Sequence, residues 1–168
     1  GWRYAVFRVA IVTLSDKGAA GQRTDESGAV IREIAEQNGY EVVSYTLLPD
    51  EREQISAELR RLCDENVAEL VLTTGGTGFS PRDCTPEATL DVAERLAPGI
   101  AEAMRYSSLN ITKRAMLSRA VAVIRGGTLI VNLPGSPKAV RENLEYVIPA
   151  LGHGLEILTG RAGECARK

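Results

Sequence analysis

The sequence predicts an α/β protein with three layers, α/β/α, in which helices cover both faces of a mostly parallel β-sheet. Three short apolar segments, at 6–14, 42–48 and 70–73, contain the β-branched runs typical of strands buried on both faces. Segments with apolar residues at helical spacing separate these strands, and such alternation is typical of a parallel sheet with crossover helices. We expect a single domain over residues 1–168, with one strand antiparallel to the others.

The first half of the chain alternates regularly between strands and helices. After the first strand, apolar residues at helical spacing predict a helix that stops at Gly39, because glycine is favoured just beyond a helix C-terminus. The second strand at 42–48 leads to Asp50, which we expect to cap the next helix, with Glu53 completing a capping box. One apolar face on that helix precedes the third strand.

The second half of the chain contains a hairpin and a long final helix. Pro98 suits the first turn of another helix. The Gly-Gly pair between 120–124 and 128–133 is a hairpin signal, which places one strand antiparallel. The final helical face covers 140–158, and we expect a kink or a restart at Pro149 because proline has no N–H group to donate.

Composition excludes several classes of function. A formal net charge of -2 argues against non-specific nucleic-acid binding, and no apolar run approaches the ~18 residues of a membrane span. The single histidine excludes a multi-histidine metal site, so oxygen ligands and Mg²⁺ are favoured for any metal. Three cysteines without CxxC spacing, and no leader-like segment before the first strand, predict a cytoplasmic protein.

A glycine-rich loop follows the third strand. Gly75, Gly76 and Gly78 let backbone N–H groups approach a ligand closely. The loop is not a P-loop, because no Gly-Lys-Ser/Thr follows it, and Pro81 interrupts the dinucleotide fingerprint. Two interpretations remain open on spacing alone: a phosphate-binding loop, or a tight strand-to-helix connection that requires glycine.

A second loop with similar properties follows the last strand. Pro134 and Gly135 form a turn, Ser136 can cap a helix and Pro137 suits its first position. A helix N-terminus attracts anions, and Lys138 adds a positive charge that would suit a phosphate. An ordinary capped helix start is the alternative interpretation.

Two carboxylates are predicted to lie at the carboxyl ends of the parallel strands, where ligands bind in doubly wound sheets. Asp50 and Asp83 follow the second and third strands and would face the same rim if these two strands are neighbours. Paired carboxylates in a phosphate site would repel the substrate unless Mg²⁺ lies between them. Capping by Asp50 and an ion pair between Asp83 and Arg82 are the purely structural alternatives.

The motifs resemble one known family. The segment LTTGGTGFSPRDCTPEAT, preceded by LSDKG and followed by LSRAVAVIRGGTLIVNLPGSPKAV, is similar to the MogA/MoaB family, which includes molybdopterin adenylyltransferases and the G domain of gephyrin. The resemblance covers about residues 8–158.

The resemblance implies binding of molybdopterin and of ATP with Mg²⁺. In such enzymes the phosphate of molybdopterin attacks the α-phosphorus of ATP, pyrophosphate leaves, and adenylylated molybdopterin forms. It also implies a homotrimer or hexamer that hands its product to a molybdate-inserting enzyme. The net charge and the lack of a long apolar run, and not the resemblance, are what predict no nucleic-acid or membrane partner.

The resemblance also assigns the site residues. Asp50 and Asp83 match positions linked to catalysis or Mg²⁺ binding, and Ser118 matches a substrate-site serine. The candidate substrate- and nucleotide-binding residues are Ser15, Asp16, Thr74, Gly75, Gly76, Thr77, Gly78, Ser118, Asn132, Pro134, Gly135, Ser136 and Lys138.

Three functions from different classes stay open. The first is the nucleotidyltransferase, which retention of both aspartates favours. The second is a molybdopterin-binding or scaffold protein with little or no catalysis. The third is a hydrolase similar to the competence-damage proteins, whose chains are usually longer. The lack of a catalytic histidine or cysteine does not weigh against the enzyme, because phosphoryl transfer depends mainly on positioning and charge neutralisation.

Overall fold

A six-stranded sheet forms the centre of the computed structural model, which describes residues 6–161. Its strands are β1 (Arg8–Leu14), β2 (Glu41–Leu48), β3 (Leu70–Thr74), β4 (Arg95–Leu96), β5 (Ala122–Arg125) and β6 (Thr128–Leu133). The helices are α1 (Asp16–Ala19), α2 (Glu26–Gln37), α3 (Arg52–Asp64), α4 (Thr85–Val92), α5 (Pro98–Leu109) and α6 (Pro137–Leu158), with a 3-10 turn at Lys113–Leu117.

The strand order is β2-β1-β3-β6-β5-β4, and β5 alone runs antiparallel to its neighbours within these described residues. The predicted fold class is therefore confirmed, including its one antiparallel strand. The two-residue strand β4 and the one-turn helix α1 were not predicted. A single domain over 1–168 stays a prediction.

Helices pack on both faces of the sheet, as the buried strands require. Along β1, Val9 and Ile11 join the apolar cluster formed with α2, α5 and α6. The alternate residues Ala10 and Val12 join the cluster formed with α3 and α4. This alternation follows from the two-residue period of a strand, and it accounts for the continuous apolar runs in the sequence.

Several predicted helix ends are confirmed. Gly39 has φ +84° just beyond α2, where an L-residue would be strained. Ser136 caps α6 by accepting from the Ala139 N–H at 3.2 Å, and Pro98 opens α5. Helix α6 continues through Pro149, so the expected restart does not occur, while the alternative of a kink there stays a prediction. Its buried residues on either side, including Ile148, pack against the sheet and offset the missing hydrogen bond.

The predicted cap by Asp50 is also wrong. Helix α3 begins at Arg52 after Glu51, whose side chain makes no capping bond. The Asp50 carboxylate instead accepts from the N–H of Asp16, the first residue of α1, at 3.1 Å. A contact between distant segments therefore replaces the local one.

The sheet brings the candidate loops together. In the register, Thr13 of β1 pairs with Thr74 of β3, which pairs with Leu133 of β6. The carboxyl ends of these three parallel strands therefore lie side by side at the centre of the sheet, which is where ligands bind in folds of this kind. No helix among residues 6–161 is both long and apolar enough to cross a bilayer.

Candidate active site

A cavity of about 770 Å³ opens at the carboxyl ends of β1, β2, β3 and β6. Asp50 and Asp83 both line it, so the structure brings together the two predicted carboxylates. The expected neighbourhood of their strands is wrong, because β1 lies between β2 and β3, and the aspartates meet because all three strands end at the same edge. We call it the aspartate cavity. Ser15, at the N-cap of α1, lines it as well, and its hydroxyl accepts from the Gly18 N–H at 2.9 Å.

A second cavity of about 280 Å³ lies on the other side of the glycine loop. Ser118 lines it, together with residues of α5 and the N-terminal part of α6. We call it the serine cavity. Gly75 and Gly76 face the aspartate cavity, whereas Thr77 and Gly78 face the serine cavity. The glycine loop is thus the wall that the two cavities share.

The loop after β6 is divided in the same way. Pro134 lines the serine cavity, while Gly135 and Ser136 line the aspartate cavity. The Thr74 hydroxyl donates to the Pro134 carbonyl at 2.6 Å, and the Gly75 N–H donates to Leu133 at 3.2 Å. These two bonds join the loops into one partition.

Backbone geometry alone requires two of the glycines. Gly75 and Gly76 have φ of +96° and +70°, in the left-handed region that L-residues disfavour. A Cβ at Gly75 would collide with the carbonyl oxygen of Leu14, and one at Gly76 would collide with the Thr85 hydroxyl. The same added Cβ at Gly76 would lie 3.2 Å from Asp50 Oδ1, so this glycine also keeps the space beside the carboxylate open.

Asp83 organises the turn that follows the glycines. Its Oδ2 accepts from the N–H groups of Gly78 and Ser80, both at 3.1 Å. Arg82 does not pair with it, because the guanidinium donates to Asp16 and Glu51 across the cavity rim. The structural alternative of an Arg82–Asp83 ion pair is therefore ruled out.

Only one of the two carboxylate oxygens of Asp50 accepts a hydrogen bond from the described residues. Its Oδ2 accepts from Asp16, whose own carboxylate accepts from the Asp50 N–H at 2.9 Å. Its Oδ1 is buried and has no hydrogen-bond partner among the described residues. Burial raises the pKa of Asp50, and the Asp16 amide bond only partly opposes that rise. Unpaired buried carboxylate oxygens are costly and therefore uncommon, which makes this atom a candidate ligand-binding group.

The two aspartates fit a Mg²⁺ ion shared with a substrate. Within residues 6–161, no three histidine, cysteine or acidic side chains are grouped to bind a metal by themselves. Mg²⁺, however, commonly binds through one or two carboxylates and completes its shell with phosphate oxygens and water. The unpartnered Oδ1 of Asp50 suits that role, and Asp83 lines the same cavity.

Three predicted site residues do not line either cavity. Asp16 holds Asp50 and Arg82 at the rim, which is a supporting contact. Asn132 is fully buried and bonds to Val121, Thr73 and Thr89 within the fold. Lys138 is exposed on the first turn of α6.

Two arginines near the site were not predicted as site residues from the sequence. Arg23 is the one basic side chain among the described residues that line the aspartate cavity. Arg119 donates to the carbonyl oxygens of Gly78 and Asp83, which belong to the glycine loop and the turn after it. The position of Arg119 directly after Ser118 was the available signal, whereas Arg23 lies in a polar loop without any recognisable pattern.

The fold and the site define a doubly wound α/β protein with cavities at the carboxyl edge of its sheet, where folds of this kind bind ligands. The chain belongs to the family described as "Probable molybdopterin binding domain", whose model matches residues 10–153.

Similar proteins carry names consistent with that family. The chain is 42% identical over 155 residues to a molybdopterin adenylyltransferase of Helicobacter pylori, covering 90% of this chain and 88% of that protein. The Escherichia coli K12 molybdopterin adenylyltransferase is 44% identical over 149 residues, covering 87% of this chain and 76% of that protein. The crystal structure of the molybdopterin biosynthesis enzyme MoaB from Thermus thermophilus superposes with a TM-score of 0.88 at 51% identity, covering 92% of this chain and 98% of that one.

Proposed function

We propose that this chain is a molybdopterin adenylyltransferase of molybdenum cofactor biosynthesis. It transfers AMP from ATP to the terminal phosphate of molybdopterin. A phosphate oxygen of molybdopterin forms a bond to the α-phosphorus of ATP, the bond between the α-phosphorus and the bridging oxygen to the β-phosphate breaks, and pyrophosphate leaves.

The observation that carries this proposal is the partition between the two cavities. A two-substrate transfer requires adjacent sites whose reacting groups meet at a common boundary. Gly76 faces one cavity and Gly78 the other, so the glycine loop is that boundary. The proposal assigns the ATP phosphates to the aspartate cavity and molybdopterin to the serine cavity beside Ser118.

Asp50 and Asp83 would hold Mg²⁺ in the aspartate cavity. When bound, Mg²⁺ neutralises phosphate charge and stabilises the departing pyrophosphate. The chain itself contributes the N-terminus of α6, which Ser136 caps and whose dipole attracts anions. The N–H groups of Gly75 and Gly78 are already donated to Leu133 and Asp83, so these two glycines contribute space for the phosphates rather than hydrogen bonds to them. Arg23 adds a positive side-chain charge to this cavity.

The deciding experiment measures pyrophosphate release from ATP and Mg²⁺ with and without molybdopterin. Release that depends on molybdopterin, with equimolar adenylylated product, supports the transferase. Binding of molybdopterin without release would support a scaffold protein, and release of phosphate without transfer would support a hydrolase. Mg²⁺ dependence is tested by EDTA treatment followed by Mg²⁺ addition.

Assembly, hand-over and compartment belong to the same proposal. A homotrimer or hexamer is tested by light scattering. Transfer of the product to a molybdate-inserting enzyme is tested by coupled turnover. A cytoplasmic location is tested by cell fractionation.

A further inference from the structure

Arg119 donates four hydrogen bonds to the segment 77–87, which contains the end of the glycine loop, the turn after it and the first residues of α4. Its backbone N–H donates to the Thr77 carbonyl at 2.9 Å, and its Nε donates to the Gly78 carbonyl at 2.8 Å. One terminal nitrogen donates to the Asp83 carbonyl at 3.0 Å, and the other donates to the Glu87 carboxylate at 2.6 Å. A single residue thus holds four points along the segment 77–87.

These points lie on both sides of the partition. Thr77 and Gly78 face the serine cavity, and Asp83 faces the aspartate cavity. Ser118, the neighbour of Arg119 in sequence, lines the serine cavity. A shift of Arg119 would therefore change the distance between groups that contact the two substrates.

The bonds also require the shape of arginine. Two of the side-chain acceptors are carbonyl oxygens and the third is a carboxylate, and each is met by a different nitrogen of the planar guanidinium. Lysine keeps the charge but has one nitrogen on a flexible stem, so it cannot reproduce the fork. Misplacement of reacting groups by about 1 Å can lower a rate by ~100-fold without removing any contact to substrate.

We propose that Arg119 is a positioning residue that fixes the wall between the two cavities and so controls the rate of transfer more than the affinity for either substrate. This inference rests on the proposed function. Arg119 lines neither cavity in the described part of the chain, so it acts through Gly78 and Asp83 rather than by touching the reacting atoms.

The test compares Arg119→Lys with Arg125→Lys. Arg125 is a matched control, because it also binds a carboxylate and a carbonyl, those of Asp64 and Val92, but lines neither cavity. We expect the two variants to lose similar amounts of thermal stability. Only Arg119→Lys should lower kcat, by roughly 10- to 100-fold, with KM for ATP and for molybdopterin changed by less than about 3-fold.

A second variant separates the ion pair from the bonds to the loop. Glu87→Gln removes the charge opposite Arg119 but leaves the bonds to Gly78 and Asp83 available. We expect its kcat to stay within about 3-fold of wild type. A loss as large as that of Arg119→Lys would show that the ion pair matters rather than the loop contacts, and would overturn the proposal.

Amide hydrogen exchange provides a readout that does not depend on turnover. In Arg119→Lys, exchange at Gly78 and Ser80 should accelerate, because their bonds to Asp83 depend on a turn that Arg119 no longer holds. Unchanged exchange, or a kcat equal to that of Arg125→Lys, would overturn the proposal. A wild type that releases no pyrophosphate would refute the proposed function, while the exchange comparison would still decide whether Arg119 holds the loop.

Discussion

Replacing Gly76 by alanine tests how the glycine loop is constrained. The substitution forces an L-residue to φ +70°, which costs about 1–2 kcal/mol. Its Cβ also displaces the Thr85 hydroxyl, which donates to the Gly75 carbonyl at 2.9 Å; losing that bond costs about 1 kcal/mol. The sum, about 2–3 kcal/mol, corresponds to a fall in Tm of roughly 4–12 °C for a protein of this size.

Gly39→Ala is the control for backbone strain. Its φ is +84°, and no neighbouring atom lies within 4 Å of the position its Cβ would take. Only the conformational cost applies there, and the entropy that alanine removes from the unfolded chain cancels in the comparison. Gly76→Ala should therefore lose about 1 kcal/mol more than Gly39→Ala. Urea unfolding with unchanged m-values measures this difference, and equal losses would refute the collision with Thr85.

Calorimetry on folded samples tests whether Gly76 is also needed for ligand binding, by measuring the affinity for ATP–Mg²⁺. Gly76→Val places more atoms beside Asp50 Oδ1 and should abolish measurable ATP–Mg²⁺ binding, whereas Gly127→Val, in the β5–β6 turn, should leave affinity unchanged. If folded Gly76→Val binds ATP–Mg²⁺ as tightly as wild type, the phosphates do not contact this loop and the glycines serve chain geometry alone.

Three further predictions concern charge. Asp83→Asn keeps an oxygen to accept from Gly78 and Ser80 but removes the charge, so pyrophosphate release should fall by ~100-fold with little change in Tm; a near wild-type rate would contradict this role. Burial raises the pKa of Asp50, so its charged form destabilises the fold above that pKa and the penalty disappears in acid. At about pH 8 the Tm of Asp50→Asn should thus be no lower than that of wild type, and any gain in Tm should disappear near pH 4. Activity should be lost at both pH values. A lower Tm for the variant at the higher pH would refute the buried-charge argument. Arg23→Gln should raise KM for ATP by ~10-fold and weaken its salt dependence, as steady-state kinetics at two ionic strengths would show; an unchanged KM would place the phosphates away from Arg23.

The sequence predicted the main strands because burial on both faces leaves a signal in the residues themselves. It did not predict β4, whose residues Arg95 and Leu96 are both exposed and form a strand only by pairing with β5. The cap by Asp50 failed for a related reason. The capping pattern is local, but the Asp16 amide, 34 positions away in the chain, binds the same carboxylate.

Parts of the candidate site could also be predicted from the sequence, and others could not, because only some of its contacts leave a signal in the residues or in their order. Loops at the carboxyl ends of parallel strands must converge, so the glycine loop and the loop after β6 could be assigned from the chain order alone. The sequence does not determine which way Asn132 faces, because a residue at the end of a buried strand can face either a cavity or the interior. Its amide fills the second role by bonding to Thr73 and Thr89.

The site concentrates features that lower stability, and this concentration supports a functional interpretation of the aspartate cavity. Gly75 and Gly76 are held in the left-handed region, and the buried Oδ1 of Asp50 has no partner within the described chain. A neutral side chain at position 50 would remove the cost of burying a charge, and a looser connection after β3 would not require two such glycines. Strained backbone and unsatisfied carboxylates persist at sites where a ligand uses them. A Cβ added at Gly76 would lie 3.2 Å from Asp50 Oδ1, so the left-handed glycine and the unpartnered oxygen border the same space, and a single ligand there can use both.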